Sequence, residues 1–196
     1  MGPGPAPCDD GEMSGTSRLF VAPLLLLLTP AFAQAPGWVL YTHPEKLMSA
    51  RFPGKPTESD QEAPTAIGNI RFKMAVFAES TRAFMATAIA YPLPKNTKFD
   101  IKKALDGARD QMVANIKGKV TSEKPMKLDG LAGREVIFEA PGENNTSIHG
   151  IARIFASANP PSAFVAGAMR MTDKPDPDAQ KFLDSIHLGK RVETGP

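Results

Sequence analysis

Histidine is the residue type in this chain best suited to metal binding or acid–base catalysis, and it occurs as His43, His149 and His187. No two of them stand at the i, i+2 or i, i+4 spacing of metal ligands on one strand or helix, and none belongs to an H-E-x-x-H motif. A zinc site would require them to converge in space with a carboxylate. We therefore expect no metal site, and we expect His187 to be a cation near the C-terminus of the last helix.

Two methionines could bind a soft metal ion. Met169-Arg170-Met171 places two thioethers on one face of a predicted strand, and thioethers are suitable ligands for Cu(I). Flexible methionines also fill gaps in apolar cores. We favour core packing over copper binding for this pair.

Three aspartates suggest a calcium loop, in the pattern Asp173-x-x-Asp176-x-Asp178. The pattern lacks the D-x-[DN]-x-[DN]-G order of an EF-hand and its later bidentate glutamate. Helix capping explains it better, because Asp176 precedes Pro177 at the predicted start of a helix and acidic groups stabilise a helix N-terminus.

Motifs for nucleophilic catalysis and phosphate binding are absent from the sequence. No serine occurs in a G-x-S-x-G motif. The segment Gly130-Leu131-Ala132-Gly133 matches neither G-x-G-x-x-G nor G-K-[ST], and the overlapping sequons at Asn144 and Asn145 indicate only an exposed loop. We predict that the protein is not an enzyme and has no catalytic, cofactor-binding or metal-ligating residue.

The N-terminal segment has the pattern of a secretory leader. Arg18 precedes an apolar run from Leu19 to Leu28, and Ala31-Phe32-Ala33 supplies small residues before a cleavage point. The pattern predicts a signal peptide over residues 1–33, cleaved after Ala33, and hence a periplasmic or secreted protein. The run is shorter than the roughly 20 residues that span a bilayer, so we expect no stable membrane anchor.

Two details refine this prediction. Met13 is an alternative start of translation, because residues 1–12 carry acidic residues where a signal peptide needs basic ones. The lone Cys8 lies upstream of the apolar run, so it is not placed as the lipidated cysteine at a cleavage point.

Cleavage changes the composition of the chain. Of 196 residues with 23 basic and 21 acidic side chains, the leader removes Arg18, Asp9, Asp10 and Glu12. The predicted mature chain has 163 residues, 22 basic and 18 acidic side chains and no cysteine. This composition excludes disulfides and cysteine-ligated metals. The lysines are dispersed, which argues against nucleic-acid binding.

Hydrophobic periodicity in the mature chain alternates between strand and helix. Ile101, Leu105, Ala108, Met112 and Ile116 form one helix face, and a second helix is predicted from Asp176 to Gly189. The polar segment 55–66, with two prolines, is predicted to be an exposed loop. Strands are predicted over residues 38–42, 47–52, 70–77, 82–91, 119–128, 131–140, 147–157 and 162–172.

Short turns such as Pro53-Gly54 and Asp129-Gly130 connect neighbouring strands, and short connections require antiparallel pairing. We therefore predict one α+β domain over residues 34–196 with short flexible ends. It would contain a largely antiparallel sheet of about six to eight strands, flanked by helices.

Several phrases spread along the mature chain resemble the Mog1/PsbP-like superfamily and its exported bacterial members. They are Trp38 to Tyr41, Arg51-Phe52-Pro53-Gly54-Lys55-Pro56, the hairpin from Leu128 to Glu135, and Phe182-Leu183-Asp184-Ser185-Ile186. The resemblance implies an antiparallel sheet flanked by helices that is used for binding and scaffolding. It implies no shared catalytic residue.

These observations lead to one favoured function and two alternatives. The favoured function is an exported, non-catalytic binding or accessory domain that acts through its sheet face or loops on another envelope protein. One alternative is a carrier of a small apolar ligand or a soft metal ion, suggested by a Met- and Phe-rich interior. The other is a hydrolase whose residues converge only in three dimensions.

Overall fold

Ten strands and two helices make up the part of the chain that the computed structural model describes, residues 37–65, 68–94, 97–143, 146–172 and 176–189. The predicted leader, its cleavage point and Cys8 lie outside these residues. The elements are β1 Val39–Thr42, β2 Met48–Phe52, β3 Thr57–Thr65, β4 Gly68–Ala78, β5 Arg82–Ala90, α1 Ile101–Asn115, β6 Lys119–Leu128, β7 Leu131–Pro141, β8 Ser147–Ala158, β9 Pro161–Arg170, α2 Pro177–Asp184 and β10 His187–Leu188.

Two antiparallel sheets form the framework. The larger has seven strands in the order β3-β4-β5-β9-β8-β7-β6, and the smaller has three in the order β1-β2-β10. The predicted class, an α+β fold with a largely antiparallel sheet and flanking helices, is confirmed. None of the helices in the described residues has the length and apolar character needed to cross a bilayer.

Alternation along the central strands gives the seven-stranded sheet two apolar faces. Ile154 and Val165 pack with Leu105 of α1 on one face, whereas Phe155 and Phe164 contribute to a second cluster on the other. Helix α1 covers β6 to β9 on the first face. Helix α2 and the three-stranded sheet lie on the second face.

An aromatic cluster joins the layers on the second face. The ring of Phe182 in α2 lies 4.9 Å from that of Phe52 in β2 and 5.4 Å from that of Phe84 in β5, measured between centroids. All three side chains are fully buried. Burial of an aromatic side chain of this kind contributes roughly 2–3 kcal/mol, so this cluster is a major contact between the two sheets.

Ion pairs add to the attachment of α2. Arg153 of β8 donates to Glu135 of β7 at 3.0 Å and to Asp184 of α2 at 2.9 Å. Glu135 also pairs with Lys124 at 2.7 Å. Burial alone would raise the pKa of Glu135, but the bonds from Lys124 and Arg153 outweigh it and hold that pKa below its ordinary value.

The predicted loop at residues 55–66 is wrong, because β3 occupies Thr57–Thr65 and pairs with β4 along its whole length. Its polarity reflects its place at the sheet edge, where Asp60 pairs with Lys73 at 2.8 Å and Glu62 with Arg71 at 3.4 Å. An edge strand also tolerates proline, since one side of its backbone needs no partner. Pairing with a later segment could not be inferred from local composition.

The second helix is shorter than predicted. It begins as expected, with Asp176 as N-cap, Pro177 in the first turn and Asp178 close behind, but it ends at Asp184. The next residues form β10, in which His187 pairs with Ser49 and Leu188 with Met48. His187 therefore belongs to a strand that follows the last helix, three residues beyond its end at Asp184.

We expect Gly133→Ala to lower the free energy of unfolding by about 2 kcal/mol, as overpacking of a dense interior does. A Cβ at Gly133 would meet the ring of Phe155 and would lie 2.5 Å from the carbonyl oxygen of Ile154. The matched control is Gly167→Ala, whose Cβ would make only ordinary contacts, the nearest at 3.4 Å to Ala152. Urea unfolding followed by circular dichroism would measure both, and equal destabilisation by the two variants would contradict the prediction.

We expect Arg153→Met to cost about 3 kcal/mol of stability, because it leaves Glu135 as a buried carboxylate with one partner removed. Lys124→Met is the control. The Lys124 side chain is 68% exposed, so loss of its ion pair with Glu135 should cost less than about 1 kcal/mol. Thermal unfolding at neutral pH would compare them, and a similar loss in both variants would show that burial of Glu135 does not govern the effect.

Candidate functional site

The structure does not gather the three histidines into one site. His43 follows β1, His149 lies in β8 and His187 in β10. Across the described ranges no three His, Cys, Asp or Glu side chains form a group able to hold a metal ion. Nothing in this part of the chain favours zinc.

The methionine pair is divided between core and surface. Met169 packs against the cluster of Val113, Phe138 and Ala152 beneath α1, whereas Met171 is 42% exposed. Met169 is partly buried, and its packing against apolar side chains is typical of a methionine at the edge of a core.

The aspartates near the start of α2 bind an arginine. Arg82 of β5 contacts Asp178 at 2.7 Å and Asp176 at 3.4 Å, and it also pairs with Glu79. Asp176 accepts the backbone N–H of Asp178 as a helix cap. Asp173 lies outside the described residues. The two described carboxylates thus cap α2 and attach it to the large sheet, which leaves the calcium interpretation without support.

A cavity of about 360 Å³ is lined by residues of both sheets and of the turns beside them. Strands β8 and β9, the β6–β7 hairpin and the segment around β10 enclose it. Its lining residues are Leu47, Asp129, Leu131, Ser157, Asn159, Pro160, Ser162, Phe164, Leu188 and Gly189. This is the size range of small-molecule sites in proteins.

Two serines face this cavity from neighbouring strands. Ser157 and Ser162 are paired in the β8–β9 register, and both alternate with Phe155 and Phe164 toward the second face of the sheet. The Ser157 hydroxyl donates to the carbonyl of Asn159 at 3.1 Å and accepts the N–H of the same residue at 3.2 Å. The Ser162 hydroxyl is almost completely buried and has no hydrogen-bond partner among the described residues.

Asp129 provides the one ionisable side chain among the lining residues. It adopts a positive φ of 50° in the β6–β7 turn, and its Oδ2 accepts the backbone N–H of Leu188 at 2.9 Å. The contact joins the hairpin to β10. The sequence singled out Asp129 only as a turn residue, and it singled out neither serine. The available signal was weak, namely two hydroxyl side chains within otherwise apolar buried strands.

A second polar location lies at the end of β1 and just after it. The Tyr41 hydroxyl and His43 Nε2 are buried without a hydrogen-bond partner among the described residues, while His43 Nδ1 accepts the N–H of Glu45 at 3.2 Å. Burial, with a smaller contribution from Glu58, raises the pKa of Tyr41 to about 12. Burial lowers the pKa of His43. The imidazole is therefore held neutral in the folded protein at neutral pH.

This environment predicts a loss of stability in mild acid. The unfolded chain takes up a proton on His43 near pH 6.5, whereas the folded chain does so only at lower pH. The contribution of neutral His43 to the free energy of unfolding is complete above about pH 6.5. It falls as the pH drops through the lowered pKa of His43 in the folded protein. His43→Asn should flatten the decline between pH 7.5 and 5, because Asn can still accept the Glu45 N–H but does not titrate. Urea unfolding across this range would measure it, and identical slopes for the two proteins would contradict the assignment.

Comparisons with known proteins identify a fold. No protein-family model matches the chain, and no curated protein matches it in sequence. Among solved structures, it is similar to the solution structure of the cyanobacterial PsbP (CyanoP) from Synechocystis sp. PCC 6803, with a TM-score of 0.53 and 8% sequence identity. The similarity covers 83% of this chain and 99% of that one. The chain therefore has a PsbP-like fold, as the phrases in its sequence predicted.

Proposed function

We propose that this protein is an exported, non-catalytic accessory domain, periplasmic or secreted, that binds another envelope protein and needs no cofactor. The leader pattern supports export. The PsbP-like fold supports a non-catalytic accessory role. The observation that carries the proposal is a sheet face, at the β3–β4 end of the large sheet, that lacks charged residues.

The strand register shows that this face is on the same side of the sheet as α1. Met74 of β4 pairs with Thr87 of β5, which pairs with Val165 of β9, and Val165 packs with Leu105 of α1. Side chains of β4 at every second position from Met74 therefore point to the same side. Because α1 lies over β6 to β9, its packing does not account for this end of the sheet.

We call this surface the uncharged face; its described, partly exposed members are Ser59, Gln61, Phe72, Met74 and Val76. The opposite face of the same two strands carries Glu58, Asp60, Glu62, Arg71 and Lys73. Charges are thus confined to one side of the hairpin. The central part of a protein–protein interface is depleted in charge and enriched in aromatic residues and Met, which favours the uncharged face as the docking surface.

The alternatives have unequal support. A hydrolase requires a base beside its nucleophile, but Ser157 bonds to Asn159 and Ser162 has no partner among the described residues. A soft-metal carrier is not favoured, because Met169 is partly buried and packs against apolar core residues. A carrier of a small ligand is favoured by the cavity between the sheets.

Affinity capture from the envelope of the source organism would test the accessory function. The tagged wild-type protein should retain a specific partner, and Met74→Asp and Gln61→Arg should reduce its yield by about tenfold or more, because each introduces an unpaired charge into the interface. Val120→Asp is the matched control on the opposite edge strand, where Val120 is 39% exposed.

Circular dichroism should show that all three variants remain folded. Equal capture by the uncharged-face variants and the control would show that the docking surface is not the uncharged face. Capture of no specific envelope protein by the wild type would overturn the proposed function.

A further inference from the structure

We propose that the cavity between the two sheets binds a small organic cation consisting of an amine, an aromatic or similarly compact apolar body and a second polar group. This inference goes beyond partner binding. The cavity lies on the side of the sheet that carries α2 and the three-stranded sheet, opposite the uncharged face. The two sites can therefore be tested separately.

The cavity size sets the size of the ligand. An apolar cavity of about 150 Å³ accommodates benzene, so the 360 Å³ here is sufficient for one ring with a short side chain. Its apolar walls are Leu47, Leu131, Phe164 and Leu188. Such walls favour a flat or compact hydrocarbon body.

The charge of the lining sets the charge of the ligand. Asp129 is the single ionisable residue of the lining, and one of its oxygens already accepts the Leu188 N–H. An ionised carboxylate has further lone pairs for a donor. The cavity therefore favours an ammonium group and disfavours an anion.

The unpartnered serine indicates a second polar group on the ligand. Ser162 is 1% exposed, and its hydroxyl lacks a hydrogen-bond partner among the described residues. A buried hydroxyl without a partner is destabilising, and a ligand hydroxyl would satisfy it after a small displacement of a lining side chain. Such unsatisfied groups are uncommon in folded proteins, and a functional role is one explanation for them.

The spacing of the two polar ends matches an arylalkyl amine. Asp129 directly follows β6, and Ser162 belongs to β9, with β7 and β8 between them. Neighbouring strands lie about 4.8 Å apart, so the backbones at the two ends are separated by roughly 14 Å. A hydroxyphenyl-ethylamine with a hydrogen bond at each end spans a distance of this order, with the amine directed to Asp129 and the phenol to Ser162.

Isothermal titration of the purified protein with four probes tests the proposal. The probes are tyramine, its neutral analogue 4-(2-hydroxyethyl)phenol, its anionic analogue 3-(4-hydroxyphenyl)propionate, and 2-phenylethylamine, which lacks the phenol. Tyramine should bind one to one. The neutral compound and phenylethylamine should each bind about fivefold more weakly, and the anion more weakly still.

Two variants assign the contacts. Asp129→Asn keeps a residue type that tolerates positive φ and an acceptor for the Leu188 N–H, so the fold is retained. It should weaken the binding of tyramine about fivefold and leave the affinity for the neutral analogue unchanged. Ser162→Ala should leave the midpoint of thermal unfolding equal or higher. It should weaken the binding of tyramine and leave the affinity for phenylethylamine unchanged.

Absence of tyramine binding at roughly 5 mM, where even a site with a Kd of about 1 mM would be mostly occupied, would overturn the proposal. Equal binding of all four probes would do the same, as would an equal loss of every probe in Asp129→Asn. Met74→Asp should bind tyramine like the wild type, so failure of the docking surface and failure of this cavity are distinguishable.

Discussion

The alternation of side chains across the seven-stranded sheet is the constraint on which the rest of the structure depends. Because β8 and β9 are apolar on both faces, the sheet must be covered on both sides. Helix α1 covers one side, and α2 with the three-stranded sheet covers the other. The predicted mature chain has no cysteine, so no disulfide supplements this burial.

Arginines attach both helices to the sheet and thereby fix their positions along it. Arg153 and Arg82 of the sheet hold the two ends of α2 through Asp184 and through Asp176 and Asp178. On the other face, Arg134 of β7 bonds to Asp106 of α1 at 2.7 Å. Planar guanidinium groups suit such partly buried pairs, because they donate several hydrogen bonds at fixed angles.

Charged residues and apolar contacts are unevenly distributed over the parts of the sheet that these ion pairs do not involve. The uncharged face lies past the strands that α1 covers, and the cavity is lined by residues of both sheets. Helix α1, of 15 residues, lies mainly over four of the seven strands on its side of the sheet.

Local sequence determined the elements whose signals are local. The face of α1, the cap of α2 at Asp176, the hairpins and the apolar central strands could all be predicted, because periodicity and turn chemistry depend on neighbouring residues. Edge strand β3 and the two-residue β10 could not, since pairing with distant strands decides their conformation. The cavity was also beyond prediction: Asp129, Ser157 and Ser162 are unremarkable in sequence, and the pairing of β8 with β9 and the Asp129–Leu188 contact bring them together only in the folded chain.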